Sequence, residues 1–221
     1  MSDGYHPPVE EYLQTVHSLK EEGTPAIQAR IAERLGRSAP SVSEMLDRLV
    51  DDGYVRRDGR VVELTDKGSV LAEKVVRKHR LAERLLVDVI GLEWYKVHHE
   101  AGRWEHVISD DVEARLVALL GDPSTCPHGN PIPGSRREAR LCDAYALAEA
   151  EMGAEIRLAR ISEEVEMDID SLAYLDAHRF VPGATATVVS RAPDGTLVLD
   201  VGGTTVALGV DLCRRLYVTT R

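Results

Sequence analysis

Three short helical patterns followed by a hairpin pattern constrain the fold of this chain more than any other feature. The spacing of apolar residues predicts helices over residues 9–22, 27–35 and 38–52. Ser38 can cap the third helix, and Pro40 suits its first turn. Two apolar runs then flank Asp58-Gly59, a pair typical of a tight hairpin turn. Helix, glycine turn, helix and two-stranded wing is the order of a winged helix-turn-helix.

The start of the third helix carries the side chains that such a module presents to DNA bases. In this motif the second helix of the pair enters the major groove with its first residues near base edges. The candidates for base contact are Ser38, Pro40, Ser41, Ser43 and Glu44. The candidates for phosphate contact are Arg30, Arg37, Arg48, Arg56, Arg57 and Arg60. The alternative is that these helices mediate protein contacts only, and the arginines favour DNA binding instead.

Two further segments place histidine and glutamate at helical spacing. His79 and Glu83 stand at i and i+4, so both side chains leave one helical face. A second stripe, at i, i+4, i+7 and i+8, contains His98, Gly102, Glu105 and His106. A lone histidine on an amphipathic helix is more often a hydrogen-bonded surface or core residue. Two stripes together favour divalent metal, because imidazole and carboxylate are ligands of first-row divalent ions.

The middle of the chain predicts three more helices. They are expected from Asp66 to about Ile90, from about Glu93 to Val107, and from a cap at residues 109–111 to about Gly121. The first of them has a wide apolar stripe. So much apolar surface on few helices indicates a dimer interface.

The carboxy-terminal part changes from helical to strand patterns. Residues 122–135 are too rich in proline and glycine for regular structure, and residues 136–152 are predicted to be helical or a linker. Strands are predicted at residues 154–161, 185–190, 197–201, 205–208 and 216–219, with one helix at 168–177. Several short strands with one helical insert predict a small SH3-like, FeoA-like β-barrel.

The fold class is therefore predicted to be α+β with three domains. The winged helix-turn-helix DNA-binding domain is expected at residues 1–65, and the helical dimerisation and metal-binding domain at 66–134. A linker at 135–152 then leads to the SH3-like domain at 153–221.

Composition limits the compartment and the kinds of partner. A net charge of -10 argues against nonspecific coating of nucleic acid, although a specific reader with a local positive face is still allowed. Three widely separated cysteines, an odd number, fit reduced thiols. The chain has no apolar run of transmembrane length and no apolar signal core in its first eight residues. We therefore expect a cytoplasmic protein that does not bind membranes.

Four blocks of residues now resemble one family, the DtxR group of metal-dependent transcriptional repressors, which includes iron and manganese sensors. The blocks are Ile31–Leu35, Arg77–Leu86, Arg103–Val107 and Gly129–Gly134. The resemblance covers the chain from about Glu10 to the loop before the linker and, more weakly, the barrel. It implies a homodimer whose winged helix binds a palindromic operator when metal is present, with no enzymatic activity and no small-molecule substrate.

The resemblance also implies two metal sites per subunit. The ligands of the first match Glu11, Glu105 and His106, and Glu10 replaces Glu11 if the helix is rotated. The ligands of the second match His79, Glu83 and His98, with help from Glu163 and Glu166 in the barrel. In streptococcal-type manganese sensors a Cys and a His of a similar loop also bind metal, and Cys126 and His128 match them.

Two departures from the family pattern bear on the choice of metal. Iron sensors carry a Met in the first helix and a Cys on the helical stripe, where this chain has Glu11 and Gly102. Manganese sensors usually have carboxylates at both places, so only Glu11 meets that pattern. Relative to the iron sensors, this site loses sulfur ligands and gains a carboxylate, so its donor atoms are harder Lewis bases. Harder donors favour Mn(II) over the alternative, Fe(II).

Two competing functions belong to other classes. A metal-dependent hydrolase could use the same ligands to activate water, but we find no separate nucleophile or acid-base pair beside the cluster. A protein-binding module attached to a metal store would show no sequence-selective affinity for DNA.

Overall fold

The computed structural model describes residues 7–137 and 143–220. Cys142 and part of the expected linker lie outside the described residues. The chain divides into two compact units, one formed by residues 7–79 and 103–109 and the other by residues 80–102 and the described part of 110–220. No helix in these ranges combines the length and the apolar character needed to cross a membrane.

The first unit contains the three predicted helices and the hairpin. Its elements are α1 (Pro7–Glu21), α2 (Gln28–Leu35), α3 (Ala39–Asp51), β1 (Val55–Asp58), β2 (Val61–Leu64) and the first part of α4 (Asp66–Leu85). Leu13, Ile31, Leu46 and Leu49 are fully buried at its centre. The Ser38 hydroxyl accepts a hydrogen bond from the Ser41 amide, as the predicted cap requires.

One predicted helix ends where expected but changes its hydrogen-bonding pattern in its last turn, and another is shorter than expected. The α-helical part of α4 ends at Leu85, and a π-helical turn continues to Ile90 before Gly91, whose φ of 78° ends it. The helix predicted at 93–107 is a 3-10 turn followed by α5 (Val97–Trp104). The amides of residues 107 and 108 both donate to the Trp104 carbonyl, so Glu105 and His106 lie in a turn that follows α5. After this turn comes α6 (Asp110–Leu120).

The second unit contains a six-stranded antiparallel sheet in the order β3-β8-β4-β5-β6-β7. The elements are β3 (Tyr145–Ala146), β4 (Glu155–Ile161), α7 (Glu163–Glu166), α8 (Ile169–Ala177), β5 (Thr185–Arg191), β6 (Leu197–Val201), β7 (Thr204–Leu208), α9 (Val210–Cys213) and β8 (Leu216–Thr220). The sheet begins inside the segment predicted as a linker, because Tyr145 pairs with Val218 and Leu147 is fully buried. Such a two-residue strand has no detectable sequence period.

Candidate metal centres and DNA-binding surface

A cluster of carboxylates and imidazoles lies in the first unit. Nδ1 of His106 lies 2.5 Å from Oε2 of Glu10, and Nε2 of the same ring lies 3.2 Å from Oε1 of Glu105. Nδ1 of His79 lies 2.5 Å from Oε2 of Glu105, and the Gln14 amide donates to that oxygen at 3.4 Å. Glu105 is therefore shared between two histidines. We call these five residues the first cluster.

Helix α1 brings Glu10 into hydrogen-bonding contact with His106. The hydrogen bond to Glu10 raises the pKa of His106, burial opposes this shift, and the nearby Glu105 and Glu11 add to it. Gln14 was not predicted from the sequence to belong to this site. It stands one helical turn after Glu10, however, and so lies on the same face of α1.

Gly102, a member of the predicted metal-binding stripe, lies on α5. A Cβ built there would meet no other atom within 4 Å. Packing therefore does not require the glycine, and a longer side chain has room.

The second unit contains a second cluster, formed by Glu83, His98, Cys126, His128 and Glu166. Oε1 of Glu83 lies 3.2 Å from Nδ1 of His98 and 3.2 Å from Nδ1 of His128. Oε2 of Glu166 lies 3.0 Å and 3.4 Å from the same two nitrogens. The ligand atoms of Glu83, Cys126 and His128 lie within 4.8 Å of one another. These residues come from α4, α5, α7 and the Pro/Gly-rich loop, which the sequence places far apart.

The loop that carries Cys126 and His128 is held from two sides. The Trp94 indole donates to the Pro127 carbonyl at 3.1 Å, and its ring packs against that of His128. On the other side, the Ile161 amide at the end of β4 donates to the His128 carbonyl at 2.9 Å. The imidazole therefore has little freedom to turn.

Gly129 and Asn130 fit this loop onto the sheet. Gly129 has a φ of 89°, and a Cβ there would lie 2.1 Å from the Ala159 carbonyl oxygen, so only glycine fits without movement. The Asn130 amide donates to the Ile161 carbonyl at 2.8 Å and to a carboxylate oxygen of Glu166. Asn130 thus orients a member of the second cluster. Both residues lie in a block that carried the family resemblance, yet no role was predicted for either.

The second cluster is charged and buried. Burial acts to lower the pKa of His128, but the carboxylates of Glu166 and Glu83 raise it well above its ordinary value. Burial would raise the pKa of Glu166, but the charge of His128 and hydrogen bonds to His128 and His98 together lower it. Burial and the Glu83 charge raise the pKa of the Cys126 thiol to about 12. Neither ring nitrogen of His128 makes a well-formed hydrogen bond, which is unusual for a fully buried imidazole. A divalent cation bound by these donors would fit the site.

Of the two glutamates predicted to help the second site from the barrel, only one joins the cluster. Glu163 is the first residue of α7 and belongs to neither group of candidate metal ligands found among the described residues. Glu166 is the α7 residue that joins the cluster.

The residues predicted to contact DNA lie on the surface of the first unit. The exposed residues are Ser38, Pro40, Ser41, Glu44, Arg30, Arg37, Arg48 and Arg60, whereas Ser43 is half-buried. The Gln28 side chain donates to the Ala39 carbonyl at 3.0 Å and so ties α2 to the first turn of α3. This contact was not predicted from the sequence.

The two arginines of β1 are engaged with carboxylates. Arg56 lies 2.7 Å from Glu63, and Arg57 lies 2.6 Å from Asp47. Exposed pairs of this kind contribute at most about 1 kcal/mol, so phosphates can compete for these guanidinium groups.

Three family models match the chain one after another. The DNA-binding domain of the iron dependent repressor matches residues 6–60, its metal binding and dimerisation domain matches residues 65–134, and the FeoA domain matches residues 145–220. The iron-dependent repressor IdeR of Mycobacterium tuberculosis strain H37Rv is 44% identical over 219 residues, covering 95% of each chain. This chain belongs to the iron-dependent repressor family.

Two other members of the family are also similar to this repressor. The diphtheria toxin repressor of Corynebacterium diphtheriae is 41% identical over 217 residues and 95% of each chain. A solved structure of a manganese-dependent transcriptional repressor in complex with manganese is 32% identical, with a TM-score of 0.87, over 96% of this chain and 100% of that one.

The family confirms the broad predictions made from the sequence. The protein is a metal-dependent transcriptional repressor with an α+β fold, a helix-turn-helix DNA-binding domain, a helical dimerisation domain and a FeoA-like β-sheet domain. It is a repressor rather than an enzyme, and its partners are operator DNA and a second copy of the chain. The relatives named above include iron-dependent and manganese-dependent repressors, so the choice of metal is a matter of proposal.

Proposed function

We propose that this repressor responds to Mn(II) and that the first cluster, together with Glu11, is the site that switches operator binding. The observation that supports Mn(II) is the donor set: Glu10, Glu105 and His106 offer only oxygen and nitrogen. Hard oxygen donors suit Mn(II) more than soft sulfur donors do. The relative bound to manganese favours the same metal.

The placement of the ligands suggests how the switch works. Glu10 and Glu11 lie on α1, whereas Glu105 and His106 follow α5 in the chain. A bound cation supplies positive charge that offsets the repulsion among these carboxylates. The carboxylates then hold α1 to the turn after α5, and α1 packs against α2 and α2 against α3. Residues that fix α1 therefore also fix the orientation of α3, the helix predicted to contact DNA bases.

A few metal–ligand bonds can supply the free energy that the switch requires. Shifting an equilibrium from mostly inactive to mostly active needs a differential affinity of about 10⁴, or about 5.5 kcal/mol. In a dimer that reads a palindromic operator, both subunits contribute to this difference. Because operator DNA is the partner, we place this activity in the cytoplasm.

Exposed apolar residues supply a surface for the second copy of the chain. The range matched by the metal binding and dimerisation model contains the exposed side chains of Val89, Ile90, Val112 and Leu119. We propose that they form part of the dimer interface, since large apolar side chains at this density mark interaction surfaces.

Fe(II) is the second candidate, since IdeR and related repressors are named as iron-dependent. The experiment that separates the two metals is fluorescence anisotropy of an operator fragment, with free Mn(II), Fe(II), Co(II) and Zn(II) buffered and oxygen excluded. We expect half-maximal operator binding at a physiological concentration of free Mn(II). Tight binding only with Fe(II) would overturn the preference for manganese.

The first prediction concerns which glutamate of α1 binds the metal. We expect Glu10→Gln to raise the free Mn(II) needed for half-maximal operator binding by at least tenfold, about 1.4 kcal/mol. Glu11→Gln is the matched variant, one residue along the same helix, and we expect a smaller shift. The same anisotropy titration measures both, and a larger effect from Glu11→Gln would assign the ligand to Glu11.

A second prediction concerns Gly102. Because a Cβ there meets open space, Gly102→Asp should fold normally and add a carboxylate to the predicted metal-binding stripe. We expect it to lower the required free Mn(II) by about tenfold, whereas Gly102→Cys should shift the preference towards softer metals. Gly102→Ala controls for the loss of helical glycine. Equal titrations for the Asp and Ala variants would show that position 102 does not reach the metal.

A further inference from the structure

We infer that Glu44 determines the base specificity of this repressor by accepting a hydrogen bond from the N4 amino group of one cytosine in each operator half-site. The inference goes beyond the proposed function, because it concerns which DNA is bound rather than which metal permits binding. It holds whether Mn(II) or Fe(II) is the activating ion. It also commits to one base, whereas the position of Glu44 near the start of α3 only makes it one of several candidates for base contact.

The other candidates at the start of α3 are less available for reading a base. The Ser38 hydroxyl caps the helix by accepting from the Ser41 amide at 3.4 Å. Burial raises the pKa of Tyr12 on α1, and a hydrogen bond between its side chain and that of Ser41 is among the contacts that oppose this rise. Ser43 is half-buried. The side chain of Pro40 offers neither a donor nor an acceptor.

Glu44 lies on the exposed face of α3 and has no partner in the protein. It stands four residues after Pro40 and three after Ser41, so the three side chains leave the same helical face, and all three residues are exposed. It is the one charged residue in the range 39–46. In the part of the chain that the structure describes, its carboxylate has neither a hydrogen bond nor an ion pair.

Other carboxylates of this region are neutralised within the protein. Asp47, the next acidic residue of α3, lies 2.6 Å from Arg57 of β1. Asp52, at the end of the helix, lies 3.8 Å from Arg48. The charge of Glu44 has no such arginine, so inside the groove of a polyanion it is a cost unless the DNA supplies a hydrogen-bond donor. The donors in the major groove are amino groups of the bases.

The chemistry of the two base amino groups favours cytosine. An ionised carboxylate has acceptor oxygens only. The N6 donor of adenine lies beside the N7 acceptor of the same base, which suits an amide side chain and repels a carboxylate. Cytosine presents its N4 donor without a neighbouring acceptor of its own, so glutamate pairs with it. Guanine and thymine present acceptors, so Glu44 would reject them by repulsion.

Selection of DNA by the full-length protein tests the inference. A pool of random duplexes is presented to the unsubstituted protein and to Glu44→Gln, each saturated with Mn(II) or with Fe(II) in the absence of oxygen, and the retained duplexes are sequenced. We expect one position of each half-site to change from cytosine to adenine, because glutamine pairs with N6 and N7 of adenine. The other positions should keep their bases.

Asp47→Asn is the matched control, since it also removes one carboxylate charge from α3, three residues further along. Because Arg57 engages the Asp47 carboxylate, we expect the pool selected by this variant to keep the cytosine. If Asp47→Asn changed the same position as Glu44→Gln, the charge of the helix rather than contact by Glu44 would set the preference, and the inference would be overturned.

Fluorescence anisotropy on the selected duplex supplies a second readout. Replacing the cytosine of one half-site by thymine removes the N4 donor, and we expect the unsubstituted protein to lose at least about fivefold in affinity. Glu44→Ala should bind the two duplexes within about twofold of each other, because it lacks the reading group. Circular dichroism checks that each variant is folded. An equal loss for Glu44→Ala, or selection of another base by the unsubstituted protein, would overturn the inference.

The failure of the inference is distinguishable from that of the proposed function. If the protein selects half-sites that contain the cytosine with Fe(II) but not with Mn(II), the proposed metal is wrong and the inference stands. If Mn(II) activates operator binding but no cytosine position depends on residue 44, the inference alone fails.

Discussion

Glu105→Ala is expected to abolish metal-dependent operator binding, with a loss of at least about 100-fold in affinity, or about 2.7 kcal/mol. The large effect follows from the position of Glu105, whose two oxygens face His106 and His79 while Gln14 donates to one of them. Removing the carboxylate takes one ligand from the first cluster and removes one contact from each of two largely buried imidazoles. Operator anisotropy at saturating Mn(II) measures the loss.

Glu73→Ala is the matched control for this variant. Glu73 is an exposed glutamate on α4, outside both clusters, so we expect its operator binding to match that of the unsubstituted protein. Circular dichroism of both variants separates lost switching from lost folding. Intact metal-dependent operator binding by folded Glu105→Ala would refute the proposed switch.

Gly129→Ala is expected to lower the free energy of unfolding by about 2–4 kcal/mol and to disrupt the second cluster. A methyl group at this position would lie 2.1 Å from the Ala159 carbonyl oxygen, and the backbone φ of 89° is unfavourable for alanine. The loop must therefore move away from β4, and the neighbouring His128 moves with it. Chemical denaturation measures the first effect, and a spectroscopic titration of the protein with Co(II) measures the second.

Gly153→Ala separates the steric clash from backbone strain. Gly153 has a similar φ of 78°, but a Cβ there would meet nothing within 4 Å. We expect this variant to lose only about 1–2 kcal/mol, the cost of the left-handed conformation for alanine. Equal losses for the two variants would show that the close approach to β4 has no energetic consequence.

The DNA-binding domain was the part of the fold most readily predicted from sequence. Its helices are short, carry clear apolar periods and end at glycines, and Ser38 caps α3 as predicted. The strands of the carboxy-terminal sheet were also located to within about two residues, with the exception of β3. In both regions the signals are local, so residues near one another in the chain contain the information.

Helix ends and short elements were predicted less well. The stripe from His98 to His106 assumed a continuous helix, but α5 ends at Trp104 and a turn carries the last two ligands. Two residues, Glu10 and Glu11, were both placed on α1, and about 100° of rotation decides which one meets His106. Periodicity cannot supply that angle, because packing of the helix against its neighbours determines it.

The sequence by itself determined the order of the elements, the DNA-binding module and the use of histidine and glutamate for metal, because each depends on local pattern or on residue chemistry. Only the tertiary structure decided which donors meet. It placed His79 against Glu105, and it joined His98 and His128 through Glu83 and Glu166. These contacts join residues that lie 15 or more positions apart in the chain. The conformation of a single helix or loop therefore does not bring them together. The contacts of His128 form because Gly129, Asn130 and Trp94 hold its loop in place, and no local pattern encodes that packing.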